Sequence, residues 1–412
     1  MMKVILMNQN KKVLLAEMDE NNTFQKIYEY YDINYAPLSL YNAYNHNEDV
    51  LVALNSWFKG RGIPTWRQNI EKLLEKLNVV SPIELLNKAY GLSLSDQYWI
   101  KDDQQKLKWK DINFFMNDFE YKDYLDVSLN SNSRETSTRI SLHSPNNTTD
   151  GMVKKGWIID KDNNRVLVKG AYSISGLEPI NEWLASVICK RLDLDYCDYT
   201  LDILRGQLVC KCKNFLTKDE EIISASDIIN LDSDGNVSDY EKYISILESH
   251  GIKDVKKKLS DMYIVDYLML NTDRHMKNYG IIRNVKNLKW ERITPIFDTG
   301  TSLQSDVTLP YLDFDNEKYK FFHYHNMTVN ELANYISLEK YDLTKLDGLK
   351  DEYKEVLEKY SDIIELNPKR LERTIEGFGE RIELLKQAKE KYKDVTPVDF
   401  LLRERSMLEK NS

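Results

Sequence analysis

The chain has 412 residues, 42% of them hydrophobic and 30% charged, which is the composition of an ordinary globular protein with several possible cores and excludes a disordered chain. A net charge of −9 excludes an overall basic field, so direct nucleic-acid binding is not expected. The cysteines, Cys189, Cys197, Cys210 and Cys212, lack C-x-x-C spacing and a nearby His pair, which disfavours structural zinc and suits a reducing compartment.

Taken in chain order, residues 3 to 7 and 12 to 16 are apolar runs separated by Asn8-Gln9-Asn10-Lys11, the pattern of a hairpin. The run Val4 to Met7 is too short for a signal peptide, and no later run approaches the roughly 18 apolar residues that span a membrane. The expectation is a cytoplasmic protein without membrane contact. Between Leu51 and Tyr90 helices take over, with capping boxes at Thr65 to Gln68 and Ser81 to Glu84 and a stop at Gly91. Arg61, Trp66 and Arg67 suit either a contact surface or packing at a rim. The aromatic stretch from Trp99 to Ser128 suits a peripheral core, and the Ser/Asn/Thr-rich residues 130 to 149 suit an exposed loop.

Two strands then follow a polar turn at Thr148 to Gly156. Trp157 to Asp160 pairs across Lys161 to Asn164 with Arg165 to Lys169. A loop offering backbone N–H groups and a lysine is how a kinase covers phosphates, although the G-x-x-x-x-G-K-[ST] pattern is absent. Alternation puts Lys169 on the face of Leu167. Pro179 opens a helix with Glu182 in its first turn. A strand lysine paired with a helix glutamate holds nucleotide phosphates in kinases; the plainer account is a surface lysine and a glutamate favoured by the helix dipole. Residues 230 to 241 match an EF-hand loop in part, with Asn at the first position, yet the match is solitary and the same residues are ordinary turn chemistry.

The segment from Asp254 to Leu270 has Val255, Leu259, Met262 and Tyr263 at helical spacing and reads as a buried helix. It delivers Asn271-Thr272-Asp273-Arg274-His275-Met276-Lys277-Asn278, whose D-x-x-x-x-N spacing puts an aspartate beside an attacking hydroxyl and an asparagine on a metal. Tyr279 to Arg283 and Leu288 to Phe297 form a hairpin that returns Asp298-Thr299-Gly300 towards Asn278 and so supplies a second metal ligand. Taken singly, such Asp and Asn residues also cap helices and turns. Thr301 to Asp315 suits a loop, and Glu352 to Leu366 and Pro368 to Lys391 carry apolar residues at helical spacing under a charged outer face.

These residues resemble the HipA-like serine/threonine kinases, toxins of bacterial toxin and antitoxin systems. The similarity rests on Asn271 to Asn278 with Thr294-Pro295-Ile296-Phe297-Asp298, and extends to Gly151 to Lys155, Lys169 and Asn181-Glu182. It implies Asp273 as base, Asn278 and Asp298 as magnesium ligands, and Lys169, Glu182, Gly151, Lys155 and His275 as the group that handles ATP. A further implication is autophosphorylation three positions before the loop glycine, at Thr148 or the neighbouring Thr149; both also suit plain turn residues. The fold implied is α+β and two-lobed like a protein kinase, with an N-terminal subdomain at 1–125, a small β-rich nucleotide lobe at 126–216 and a helical catalytic lobe at 217–412. The implied partners are a protein with a Ser or Thr acceptor and a small DNA-binding antitoxin. A lipid or small-molecule phosphotransferase, or a nucleotide-binding module without catalysis, would use many of the same residues.

Overall fold

The computed structural model describes residues 1–65, 70–121, 142–148, 154–231, 237–314, 319–321, 325–327 and 336–391. Two compact units share the chain. The first takes Met1–Tyr172, Ile203–Val237 and Gly280–Thr294; the second takes Ser173–Asp202, Ser238–Tyr279 and Pro295–Ser412.

The first unit begins with the expected hairpin, β1 (Met2–Asn8) and β2 (Lys11–Met18), turning at Gln9 with φ 49°. β1 is apolar without alternation because both its faces are covered. Val4 and Leu6 enter one core with Phe24, Leu54 and Phe58, while Ile5 and Met7 enter another with Trp99, Trp109 and Phe114. β3 (Phe24–Tyr30) and β4 (Tyr98–Asp102) complete a sheet of order β3-β2-β1-β4, so the aromatic stretch after Tyr98 begins with the edge strand beside β1. Helices α1 (Leu38–Asn45), α2 (Val50–Gly60), α3 (Ile70–Leu77), α4 (Pro82–Lys88) and α5 (Trp109–Ile112) accompany it. Ser81 caps α4 by accepting the Glu84 amide, and the Glu84 carboxylate accepts the Val80 amide, one residue before the position a capping box would use. Arg61 neither lies at a rim nor forms a surface: its side chain is buried on Asp96 at 2.6 Å and on the Gly91 carbonyl at 2.7 Å. The box at Thr65 to Gln68, with Trp66 and Arg67, runs into undescribed residues.

Next come β5 (Lys155–Ile159) and β6 (Arg165–Lys169), paired in the expected register, and β8 (Gln207–Lys213), which pairs with β6 and is joined to β7 (Tyr199–Leu204) through the turn Arg205-Gly206. The predicted hairpin is β10 (Gly280–Asn284) and β11 (Trp290–Ile293), but it does not stand alone. β9 (Glu220–Ser224) pairs along β10, and the short helix α7 (Ala225–Ile229) follows it. Arg283 of β10 is buried between Glu221 of β9 at 2.7 Å and the Tyr98 hydroxyl at 3.1 Å, so the hairpin is bolted to the first sheet.

The second unit is mostly helical: α6 (Glu178–Arg191), α8 (Asp239–Ser249), α9 (Val255–Met269), α10 (Leu349–Tyr360) and α11 (Pro368–Lys391), with a two-stranded ladder of β12 (Tyr319–Phe321) and β13 (His325–Met327). α9 is buried along almost its whole length, as its sequence predicts.

The close pairing of β9 and β10 depends on Gly280, where an added Cβ would overlap the Ile223 carbonyl group. Backbone cannot yield as a side-chain tip can. Gly280→Ala should therefore cost about 1–3 kcal/mol or more of unfolding free energy, as overpacked cores do. Denaturant unfolding checks it, and an unchanged midpoint would contradict the fit.

Candidate active site

The loop after α9 starts from a strained turn. Leu270 ends the helix at φ 46°, a left-handed conformation unusual for a residue with a branched side chain. It reverses the chain so that the Asn271 amide bonds the Asp266 carbonyl at 2.9 Å and the Asn271 side chain donates to the Asp266 carboxylate at 2.8 Å. Asn271 Oδ1 in turn accepts the Asp273 amide at 3.0 Å. Asp273 is thereby set at an exposed position on a fixed backbone. Its carbonyl accepts Asn278 Nδ2 at 3.0 Å and the His275 amide at 2.8 Å, so the span from Asp273 to Asn278 closes on itself.

Arg274 sits beneath this loop, 2% exposed, against Asp266, which is fully buried. Its Nε and Nη2 grip the two carboxylate oxygens, each at 2.9 Å. The remaining donors go to Asn278 O at 3.1 Å, Phe297 O at 2.6 Å and Thr299 Oγ1 at 3.3 Å. One guanidinium thus ties the Asp273 loop to the residues on either side of Asp298. Burial alone would lower its pKa; Asp266, with Asp298 and Glu182 further off, more than offsets this and holds it charged.

Asp298 adopts φ 58°, and its amide donates to the Tyr199 hydroxyl at 3.4 Å. Aspartate visits this region at a cost of order 1–3 kcal/mol, which the surroundings must sustain. The next amide, Thr299 N–H, donates to the buried Glu182 carboxylate at 2.9 Å, and Asn181 Nδ2 donates to Gly300 O at 2.9 Å and Ser302 O at 2.8 Å. The adjacent pair Asn181 and Glu182 on α6 therefore holds the backbone that follows Asp298. Two further bonds join the loops, from Thr272 N to Thr301 O at 3.2 Å and from Leu303 N to Met269 O at 2.8 Å.

For a cation, the site offers Asn278 Oδ1, which accepts no hydrogen bond among the described residues, and the Asp298 carboxylate. Two hard oxygen donors suit magnesium when phosphates complete the shell. Among the described residues no group of three His, Cys, Asp or Glu side chains could hold a metal unaided. His275 is half-buried and its Nδ1 accepts the Lys277 amide at 3.2 Å, which leaves the proton of the neutral ring on Nε2.

In the first unit, Lys169 is 5% exposed. Register places it directly opposite Lys155 on one side and Cys210 on the other, so two lysines stand adjacent on one face. Thr148 ends a 3-10 turn, half-buried, with Oγ1 donating to Pro145 O at 3.0 Å. Gly151 and Thr149 lie outside the described residues, as does the middle of the EF-hand-like stretch, 232–236.

The sequence reading missed the roles of Asp266 and Arg274. Asp266 is the lone charge in an apolar helical stretch, and Arg274 directly follows the proposed base; a lone acid in a buried helix demands a cation, and that signal was present.

Comparison with known proteins identifies the family. The model of the HipA-like C-terminal domain matches residues 146–376. The serine/threonine-protein kinase CtkA of Helicobacter pylori is 30% identical over 130 residues, an alignment covering 30% of this chain and 40% of the relative. The chain thus spans less than half the length of that curated relative. Among solved structures, the Helicobacter pylori proinflammatory kinase CtkA is similar with TM-score 0.47 and 18% identity, over 58% of this chain and 94% of that one. HipA of Shewanella oneidensis MR-1, solved with HipB and its operator DNA, is similar over 94% of this chain and 99% of that one, with TM-score 0.50 and 13% identity. The second likeness is one of fold, and it agrees with the α+β, kinase-like architecture.

The buried pair makes a direct prediction. Removing either partner strands the other charge, so Asp266→Asn or Arg274→Met should each cost roughly 3–5 kcal/mol. The double variant should lose less than the sum of the two. Denaturant unfolding of all three gives the coupling, and additive losses would contradict the pairing.

Proposed function

The chain belongs to the HipA-like kinase family, and from that premise we propose that it transfers the γ-phosphate of ATP to a serine or threonine hydroxyl of a protein. The observation that carries this reading is Arg274, whose one buried guanidinium bonds the carbonyls of Asn278 and Phe297 and so fixes the proposed base loop and the proposed metal loop together. Magnesium-bound ATP, when present, supplies the phosphoryl group and spreads its charge. Asn278 Oδ1 and the Asp298 carboxylate would hold the metal. Asp273, exposed on its rigid loop, orients the acceptor hydroxyl and takes its proton. By the family resemblance Gly151, Lys155, Lys169 and His275 would contact the nucleotide, and Glu182 keeps the Thr299 amide in place beside Asp298. In this reading residues 126–216 serve as the nucleotide lobe and 217–412 as the catalytic lobe.

The partner class we propose is a small DNA-binding antitoxin, and the setting is the cytoplasm. Support for the partner is one of fold likeness, since the Shewanella structure holds HipA together with HipB and DNA. The described helices include none long and apolar enough to cross a membrane.

Labelled ATP and magnesium, with the protein alone and with a cell lysate, test the reading. Asp273→Ala should lose phosphoryl transfer by on the order of 10²-fold or more while keeping its fold and nucleotide affinity. Asp298→Ala should instead lose magnesium-dependent binding, and Lys169→Ala should weaken the nucleotide pose. Wild-type protein that binds ATP without transferring phosphate would leave a binding module, and label on lipid alone would leave a lipid kinase.

Thr148 carries a second expectation. A phosphate adds about −1.5 to −2 charge at neutral pH, cannot keep the bond to Pro145 O, and would repel the ATP phosphates, so modification should switch activity off. Mass spectrometry after incubation with ATP and magnesium should find phosphate on Thr148 or Thr149 in the active protein and none in Asp273→Ala. Equal modification of both, or none after full turnover, refutes the switch.

A further inference from the structure

The segment that follows Asp298 is held in a conformation it would not adopt by itself. Leu303 and Gln304 are consecutive residues in the left-handed region, at φ 47° and 55°, close after Asp298 at 58°. Each such residue costs of order 1–2 kcal/mol without glycine. Something must sustain the turn. Arg370 of α11 supplies part of the answer, since its Nη2 donates to Gln304 O at 2.5 Å and its Nη1 to Val307 O at 2.6 Å.

Arg370 is 7% exposed and makes no ion pair among the described residues, and its Nε has no hydrogen-bond partner there. Burial pushes its pKa down from the ordinary arginine value, with Tyr353, Asp306 and Glu178 acting in the opposite sense. A methionine would fill the same space without that desolvation. The guanidinium stabilises only the loop conformation that presents both carbonyls to it, and so it selects that conformation.

Further along the same helix Arg381 grips the other strip. It is fully buried, with Nε and Nη2 donating to Tyr267 O at 3.1 and 2.9 Å and the guanidinium lying 3.8 Å over the Tyr267 ring. Tyr267 is in the last turn of α9, beside Asp266, where an arginine also meets the negative end of the helix dipole. At 1.5 Å per residue the two arginines are roughly 16 Å apart along the axis. One holds the strip after Asp298 and the other the helix end before Asp273, and the bonds Leu303 N to Met269 O and Thr272 N to Thr301 O stitch those strips together between them.

We propose that α11 is part of the catalytic apparatus, with Arg370 and Arg381 acting as positioning residues that set Asp298 and Asp273 relative to each other. The match to the HipA-like C-terminal domain ends at residue 376, between the two, so the brace extends past the matched domain. The proposal rests on the kinase reading for its effect on turnover, but not for its effect on the loops.

The test uses the full chain with Arg370→Lys, Arg381→Lys, and the neutral Arg370→Gln and Arg381→Gln. Lysine keeps the charge but lacks the planar fork that aims separate donors in fixed directions, and it cannot stack flat on a ring. Three quantities are read: thermal melting, site-resolved amide exchange, and turnover against magnesium and ATP concentration. We expect the lysine variants to stay folded while the Thr272, Thr299 and Leu303 amides exchange about tenfold faster or more, with the rest of α9 and α11 unchanged. In Arg370→Lys the magnesium needed for half-maximal activity should rise severalfold. In Arg381→Lys kcat should fall at least tenfold with KM for ATP within about twofold. Unchanged exchange at those three amides, or a uniform loss of protection with turnover falling only as the folded fraction falls, overturns the proposal. Should the wild type itself transfer no phosphate, the kinase reading fails and the three amides still decide whether the arginines position the loops.

Discussion

The buried pair of Asp266 and Arg274 is the constraint on which the site depends. A carboxylate on a fully buried helix position is stable there only with a cation and additional donors, and Arg274 with Asn271 supplies them. The carboxylate takes two of the guanidinium's donors, and the planar fork then aims the rest in fixed directions, towards Asn278 O, Phe297 O and Thr299 Oγ1. Lysine could neutralise Asp266 but could not define two loops at once. The helix that delivers Asp273 therefore also determines where Asp298 stands, and the charge that makes this possible never reaches solvent.

Much of this was legible in the sequence, and for identifiable reasons. The D-x-x-x-x-N spacing, the helix before it and the hairpin after it are local patterns, and local periodicity and turn residues determine them. The same holds for the lysine strand, β6, and for the helix that opens at Pro179. What escaped is non-local. β9 pairs with β10 from far earlier in the chain, and β4 pairs with β1 across two strands and four helices, and nothing in either strand's own residues names its partner. The Glu182 carboxylate also accepts the Thr299 amide, a bond to main chain that no residue pattern announces. Arg61 is likewise buried against Asp96, in the loop before β4, an acid that its own stretch does not name.

The same asymmetry explains why the loops carry so few recognisable residues. Between Thr299 and Val307 the chain is held by Glu182, Asn181, Ser175 and Arg370, and each of them bonds main-chain N–H or C=O groups of the loop. A backbone carbonyl is present whatever the side chain, so the loop's own sequence is free to vary while its path is prescribed from helices on either side. The cost appears in dihedral angles: Leu270, Asp298, Leu303 and Gln304 all sit in the left-handed region, where an isolated chain would not keep them. Backbone-directed donors suit this task, because their bonds exist only when the strained path is taken and vanish when the chain relaxes to an ordinary one. The geometry of Asp273, Asn278 and Asp298 is therefore written in Asn271 and Arg274 within the motif and in buried side chains outside it, on α6, α9 and α11.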